Sequence, residues 1–478
     1  MKKQSLSKNF FFQFAYQGLV LIIPLILSPY LTRTLGELEI GNYTFVNSIA
    51  YYFIVFANLG IARHGQRIIS QSNDEKILRK EFWSLFSIHS IISFFIIIFY
   101  VLFVAFFIDN KSLYWIEIMY VVSALFDITW LFYGLENFKS VVIRNGIIKL
   151  LECILIFSFV HKPSDVGIYT AICSGGTLLG HVALMPIVFK EVKPIRFSKT
   201  DVIKHIKPLV VFSVAVIAST LYTVLDKTLL GILSTKENVA FYEYSNRIII
   251  VPRSIVSVVG TVMFPRACKM AANKDFDGQQ RYIHYSLLIT AFIGIGAFFG
   301  LLGVSGPFVN AYYGESFSIC GGIVIALSPL VLIIGMGDII RSQYMIPNRM
   351  ENQLNICIVI SSMINIILSC ICIPLIGVYG AVIGTISAEF FGLIYQVVIC
   401  RKSINCKDFI ISLIPFLLSG VSMYFTIVFI KKTLGITNII VEIAIGFATY
   451  CLCSFLYLFV FEKSIIRALR TKIMNKAE

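Results

Sequence analysis

Residues 10–31 read FFFQFAYQGLVLIIPLILSPYL, an apolar run that contains no Asp, Glu, Lys or Arg. Lys2, Lys3 and Lys8 precede it, which imitates a secretory signal. The apolar core of a signal is only about 7–15 residues long and leads to a small-x-small cleavage site. This run is longer and has no such site, so it reads as a retained helix. About 20 apolar residues suffice to cross a bilayer.

The remainder of the chain repeats the pattern. Hydrophobic residues make up 58% of the 478 positions and charged residues 14%, against about 25% charged in an ordinary soluble domain. Such a chain cannot cover its own surface with polar groups, so lipid must be part of its solvent. Fourteen spans are expected: 10–32, 40–62, 83–108, 112–134, 144–160, 166–189, 208–233, 239–264, 283–303, 318–340, 353–375, 378–400, 408–430 and 438–461. The span at 239–264 is the least apolar, because it holds Glu243, Arg247 and Arg253.

Charge tests the count. With the N-terminus inside, 30 of the 40 Lys and Arg residues fall in cytoplasmic segments and 6 in outer ones. Basic residues collect on the cytoplasmic side of membrane proteins, so both termini are expected there. The same rule accounts for the net charge of +14 without nucleic acid. The expected outer loops are short, the longest running from about 304 to 317. They leave no room for a catalytic domain, and no G-x-x-x-x-G-K-[ST] occurs to bind ATP.

The 11 cysteines lie mostly in apolar runs and lack zinc spacing, and the six histidines are scattered without an H-E-x-x-H. No cofactor or metal is expected.

Two stretches echo each other. One is Thr32-Arg33-Thr34-Leu35-Gly36 followed by Gly41-Asn42-Tyr43; the other is Asp226-Lys227-Thr228-Leu229-Leu230-Gly231 followed by Ala240-Phe241-Tyr242. They lie six spans apart. An even offset gives both copies the same orientation, the mark of a parallel repeat. The expected architecture is therefore an all-α polytopic membrane protein. Two parallel six-helix bundles, 1–207 and 208–402, would surround a central cavity. Residues 403–478 would add two helices and a basic cytoplasmic tail.

An ionisable residue inside a span costs roughly 3 kcal/mol on insertion scales, which makes each a functional candidate. Some pairs can neutralise themselves on one helix face: Lys149 with Glu152, Glu243 with Arg247, Asp338 with Arg341. Others need partners elsewhere. Arg33, Lys149, Lys227, Arg247 and Arg253 form the basic set, which would line the cavity and grip an anionic head group. Asp127, Asp226 and Glu389 are candidates for a coupling proton or Na⁺. Each has a plainer reading, snorkelling for Arg33 and a buried hydrogen bond for Asp127 and Glu389. Gly176-x-x-x-Gly180, Gly296-x-x-x-Gly300 and Gly380-x-x-x-Gly384 read as helix-packing steps.

The chain resembles the Wzx-type repeat-unit flippases of bacterial surface polysaccharide synthesis, in the multidrug/oligosaccharidyl-lipid/polysaccharide exporter superfamily. The residues that carry the resemblance are Pro24, Pro29 through Gly36, Gly41-x-Tyr43, Asn58-Leu59-Gly60, Tyr133-Gly134-Leu135-Glu136, Arg144-Asn145 with Lys149, Asp226-Lys227 with Gly231, and Phe264-Pro265-Arg266. It implies a V-shaped pair of bundles and a cationic lumen. It implies an undecaprenyl-pyrophosphate-linked oligosaccharide carried to the outer leaflet by alternating access, in the inner membrane, for O-antigen or capsule. Polysaccharide polymerase or ligase partners would follow. Many members have twelve spans, so residues 408–461 depart from the pattern and suggest a lipid-tail groove or partner surface. A drug or cation antiporter of the same superfamily is the rival reading; it should show a cavity of acids and aromatics. A polymerase should show a long outer loop.

Overall fold

A computed structural model of the chain describes residues 6–72, 74–401, 406–433 and 438–461. Among them every regular element is helical. The expected basic tail, from Lys463 onward, lies outside the described residues.

The first span is α1 (Leu6–Thr34), a single helix through Pro24 and Pro29. Gly36, with φ +73°, opens α2 (Gly36–Asn58). Leu59 and Gly60 then both take positive φ, 31° and 67°, and turn the chain into α3 (Ile61–Gln71). A Cβ on Gly60 would lie 2.8 Å from Phe212 Cβ and from the Ser213 nitrogen. Backbone conformation and crowding therefore both demand glycine there.

The next spans are α4 (Glu75–Phe107), the broken pair α5 (Ser112–Leu125) and α6 (Thr129–Gly134), α7 (Phe138–Phe159), the bent pair α8 (Val166–Val182) and α9 (Met185–Glu191), and α10 (Lys199–Leu233). Ser198 and Asp201 start α10 with a reciprocal capping box. The Ser198 hydroxyl and N–H, with Lys80 at 3.0 Å, hold the Asp201 carboxyl well below the usual range.

The second half continues with α11 (Lys236–Ala272), α12 (Phe276–Tyr313), α13 (Ile319–Leu327), α14 (Pro329–Ile340), α15 (Glu351–Ile376), α16 (Val378–Cys400), α17 (Cys406–Thr433) and α18 (Ile439–Phe461). Residues 341–345 form a π-helical turn after α14. The expected outer loop at 304–317 is mostly helix. α12 runs on through Pro307 to Tyr313, and Gly314 (φ 95°) ends it.

Among the described residues, eleven helical segments are long and apolar enough to cross a membrane. The other three expected spans are occupied by α1, α7 and α10. The chain is a multi-pass membrane protein. On α4 the side chains of Phe94, Phe95, Phe99, Phe106 and Phe107 are all exposed, a face that only lipid can cover.

By packing the chain divides into residues 1–240 and 241–478. In the first unit, Ile61, Ile69, Phe82, Leu85, Trp130 and Leu209 share one core, and α10 packs on α2, α3 and α4. In the second, α17 and α18 pack on α12, with Phe416, Met423, Ile427 and Tyr450 joining Ile283, Leu287, Ala291 and Ile295. The repeat boundaries expected at 207 and 402 concern symmetry rather than packing and remain with the proposal below.

Small residues set the close approaches, since lipid supplies no hydrophobic drive between helices. A Cβ on Gly231 would collide with the Phe45 ring, and one on Gly41 with the Lys236 carbonyl. Both glycines belong to the echoed stretches. Gly380 and Gly384 likewise press on Cys372 and Ser369 of α15.

Candidate functional site

The first unit carries a chain of buried polar groups between its helices. Asp226 is 5% exposed on α10. Two residues on, Thr228 Oγ1 lies 3.3 Å from Ser48 Oγ and 3.0 Å from the Tyr52 hydroxyl, both on α2. Lys227 points to a different side of the same helix, since neighbours on a helix are about 100° apart. Lys149 on α7 donates to Glu152 Oε2 at 2.6 Å, as its spacing suggested. Glu152 is buried, and Gly176 of α8 presses directly on its carboxylate. Arg33 is exposed at the end of α1, and its Nη1 donates to the Pro29 carbonyl at 3.4 Å.

A residue that sequence reasoning passed over stands at the centre. Glu117 is fully buried in α5. Asn47 of α2 donates to its Oε1 at 3.1 Å and Ser174 of α8 to its Oε2 at 2.8 Å. Three helices thus meet at one carboxylate.

Asp127 lies in the break between α5 and α6, where its Oδ1 accepts the N–H of Thr129 at 3.1 Å and its hydroxyl at 2.6 Å. The carboxylate thereby caps the start of α6. His89 of α4 and His181 of α8 are its electrostatic neighbours.

The six histidines read as scattered, yet four of them meet in two pairs. The second pair is His64 and His205, with Nε2 of one 3.1 Å from Nδ1 of the other. His205 Nε2 also faces Ser84 Oγ at 3.2 Å and Glu81 Oε2 at 3.0 Å. Lys204 pairs with the same carboxylate. Burial outweighs the pull of Glu81 and brings the His205 ring down to about 4.

In the second unit Arg247 Nε donates to Glu243 at 3.1 Å and its guanidinium lies 4.4 Å over the Tyr244 ring. Arg253, lower on α11, is exposed. Glu389 is partly buried on α16. Asp338 pairs with Arg341. Among the described residues no group of three His, Cys, Asp or Glu side chains is placed to hold a metal ion.

Among the expected site residues, Lys149 and Arg247 have a carboxylate partner on their own helix, Asp127 binds Thr129 within its own break, and Asp226 is buried on α10. Exposed cations can hold an anion, and buried carboxylates and imidazoles can take up and release protons.

Comparison with known proteins gives these features a setting. Residues 6–271 match the family model described as polysaccharide biosynthesis protein, and residues 153–444 match the model of the lipid II flippase MurJ. A protein of Shigella dysenteriae assigned as an O-antigen transporter is 22% identical, covering 82% of this chain and 99% of its own. A protein of Escherichia coli K12 with the same assignment is 24% identical, covering 81% and 94%. Among solved structures, the lipid II flippase MurJ in an inward closed conformation superposes with a TM-score of 0.69 at 18% identity, over 94% of this chain and 98% of that one. An inward-facing MATE-family multidrug transporter gives 0.56 at 13% identity, over 81% of this chain and 98% of that one. With a match over more than half of its length, and with helices in the arrangement of a lipid flippase, the chain belongs to the polysaccharide biosynthesis protein family.

Proposed function

We propose that this protein flips an undecaprenyl-pyrophosphate-linked oligosaccharide from the inner to the outer leaflet, for O-antigen or capsule synthesis. The observation that carries the reading is the joint reach of the polysaccharide biosynthesis protein model and the lipid II flippase MurJ model, which together span residues 6–444. Relatives assigned as O-antigen transporters match over four-fifths of the chain. The protein acts as a transporter and not as an enzyme.

The substrate joins a long apolar tail to a pyrophosphate and a polar sugar. Its head group is the part that membrane hydrocarbon rejects. In this reading Arg33, Lys149 and Lys227 of the first unit and Arg247 and Arg253 of the second receive the anionic head. The repeats 1–207 and 208–402 rock to give alternating access, and Asp127, Asp226 and Glu389 serve ion coupling. Residues 403–478 add lipid-tail or partner surface for a polymerase or ligase. The protein sits in the bacterial inner membrane with both termini cytoplasmic, as the basic residues favour.

The test is the location of the lipid-linked repeat unit after deletion of the gene. A membrane-impermeant sugar probe is applied to intact and everted vesicles. Accumulation on the cytoplasmic face alone is the expected result. Accumulation on the outer face, or none, would replace the flippase with a later step or with a drug antiporter.

A further inference from the structure

The break between α5 and α6 lies at membrane depth, where every buried polar group needs a partner. His89 on α4 is 1% exposed, and neither of its ring nitrogens has a hydrogen-bond partner. Ser93, one turn further along the same face, is fully buried and its hydroxyl is also unpartnered. Two such groups on one buried face, beside a carboxylate, mark a place meant for something small and polar.

The groups around His89 narrow what that is. Its electrostatic neighbours are Asp127, at the break, and His181, on α8. Both hydrogen bonds to the Asp127 carboxylate go to Oδ1. His181 donates from Nδ1 to the Ser123 carbonyl at 2.9 Å. In a neutral ring, that bond leaves Nε2 as an acceptor. Along α4 and from α3 and α10, the next titratable groups are Glu81, His64 and His205, which contact one another about two turns away, with His64 Nδ1 still unpartnered. On α5 Tyr120 is a further electrostatic neighbour of Asp127, and Glu117 beyond it is already bound to Asn47 and Ser174; from α7, Arg144 reaches α8 at Gly180, next to His181.

Two imidazoles with one carboxylate make a poor site for Na⁺, which prefers several oxygens. They suit a proton, because imidazole is the side chain that gains and loses one near neutral pH.

We propose that His89, Asp127 and His181 form a proton-binding site inside the first unit, and that this proton is the coupling ion of the flipping reaction proposed above. The step moves one proton from a hydronium ion in the break to an imidazole nitrogen, forming an N–H bond and releasing water. Asp127 balances the positive ring. Release to water on the other side reverses the step. Protonated and neutral states then prefer different packings of α4, α5, α6 and α8, and a pH gradient shifts the population between them. The coupling role rests on the flippase reading; the site itself does not.

The test uses the full-length chain in proteoliposomes with an undecaprenyl-pyrophosphate disaccharide as probe. One proton coupled to one substrate gives about a tenfold change in its distribution per pH unit of gradient. The wild type should show that shift. Asp127→Asn, His89→Gln and His181→Gln should abolish it, and Asp127→Glu, which keeps the carboxylate, should retain it. Flipping that ignores the gradient in the wild type, or a full response in all three variants, would overturn the proposal and leave the flippase reading standing. If the wild type flips nothing, the flippase reading falls and the site is judged by imidazole nitrogen NMR of the same chain in nanodiscs. There Asp127→Asn should move the signals of both His89 and His181. Unmoved signals would overturn the site. A variant that fails to fold is recognised by aggregation on gel filtration and is replaced by Asp127→Ser and His89→Asn.

Discussion

The two units bury different kinds of polar group. Among the described residues the first buries seven carboxylates and imidazoles: His64, His89, Glu117, Glu152, Asp165, His205 and Asp226. The second buries one, Glu442, whose Oε2 lies 3.4 Å from Lys431. Its other buried polar side chains are hydroxyls and amides, such as Gln279, Thr290, Gln343, Asn365 and Gln396. Neutral groups can lock helices together without responding to pH. Groups that titrate can both lock and release. The first unit is therefore the richer in buried groups that titrate, while the second, Glu442 apart, buries polar groups that do not.

That contrast can be broken by measurement. The largest effect is expected at Glu117. Glu117→Ala leaves Asn47 and Ser174 without their acceptor and should cost about 2 kcal/mol or more. Glu117→Gln, which keeps an acceptor oxygen, should cost less. Thermal unfolding of the purified chain in detergent separates the two, and equal losses would remove Glu117 as a junction.

A similar size is expected from acid. The His205 ring resists its proton in the folded state, at about 4, and the unfolded ring takes it near 6.5. Stability from this group is thus present above pH 6.5 and is lost as pH falls from 6.5 towards 4. The loss should approach on the order of 2 kcal/mol. His205→Asn should flatten that part of the stability profile, and an unchanged slope would contradict the assignment.

In the second unit Glu442→Gln should lower stability by about 1 kcal/mol, since it breaks a pair whose Lys431 is partly exposed. The smallest change is expected at Gln343, fully buried with neither amide atom partnered. Gln343→Leu removes an unsatisfied group and should be neutral or stabilising by up to about 1 kcal/mol. Clear destabilisation there would mean that the second unit also uses its polar groups for more than packing.

Much of the fold was legible in sequence. Apolar length and basic asymmetry located fourteen spans, and the span at 239–264 forms within α11 despite its three charges because Glu243 and Arg247 meet one turn apart. The helix-spaced pair of Lys149 and Glu152 was legible for the same reason. The break at residues 126–128 was not, as no proline or glycine marks it. Nor was the extension of α12 past Gly303, Gly306 and Pro307, where turn-forming residues sit inside a helix. The site was least legible where partners are distant. Glu117 sits in an apolar run, and Asn47 and Ser174 are 70 and 57 residues away. His64 and His205 are separated by 141 residues, a distance that no local spacing rule reaches.

The fit of Gly41 against the Lys236 carbonyl has a consequence in time. α2 cannot complete its packing until α10 and the start of α11 have been made, nearly two hundred residues later in the chain. At about 5–20 residues per second, ribosomal synthesis leaves that surface of α2 open for on the order of ten seconds or more. During this interval its groove meets lipid or an insertion factor instead of its final neighbour. Nascent chains stopped before residue 236 should therefore be far more open to protease at α2, and to thiol labelling of a cysteine introduced there, than chains released just beyond it.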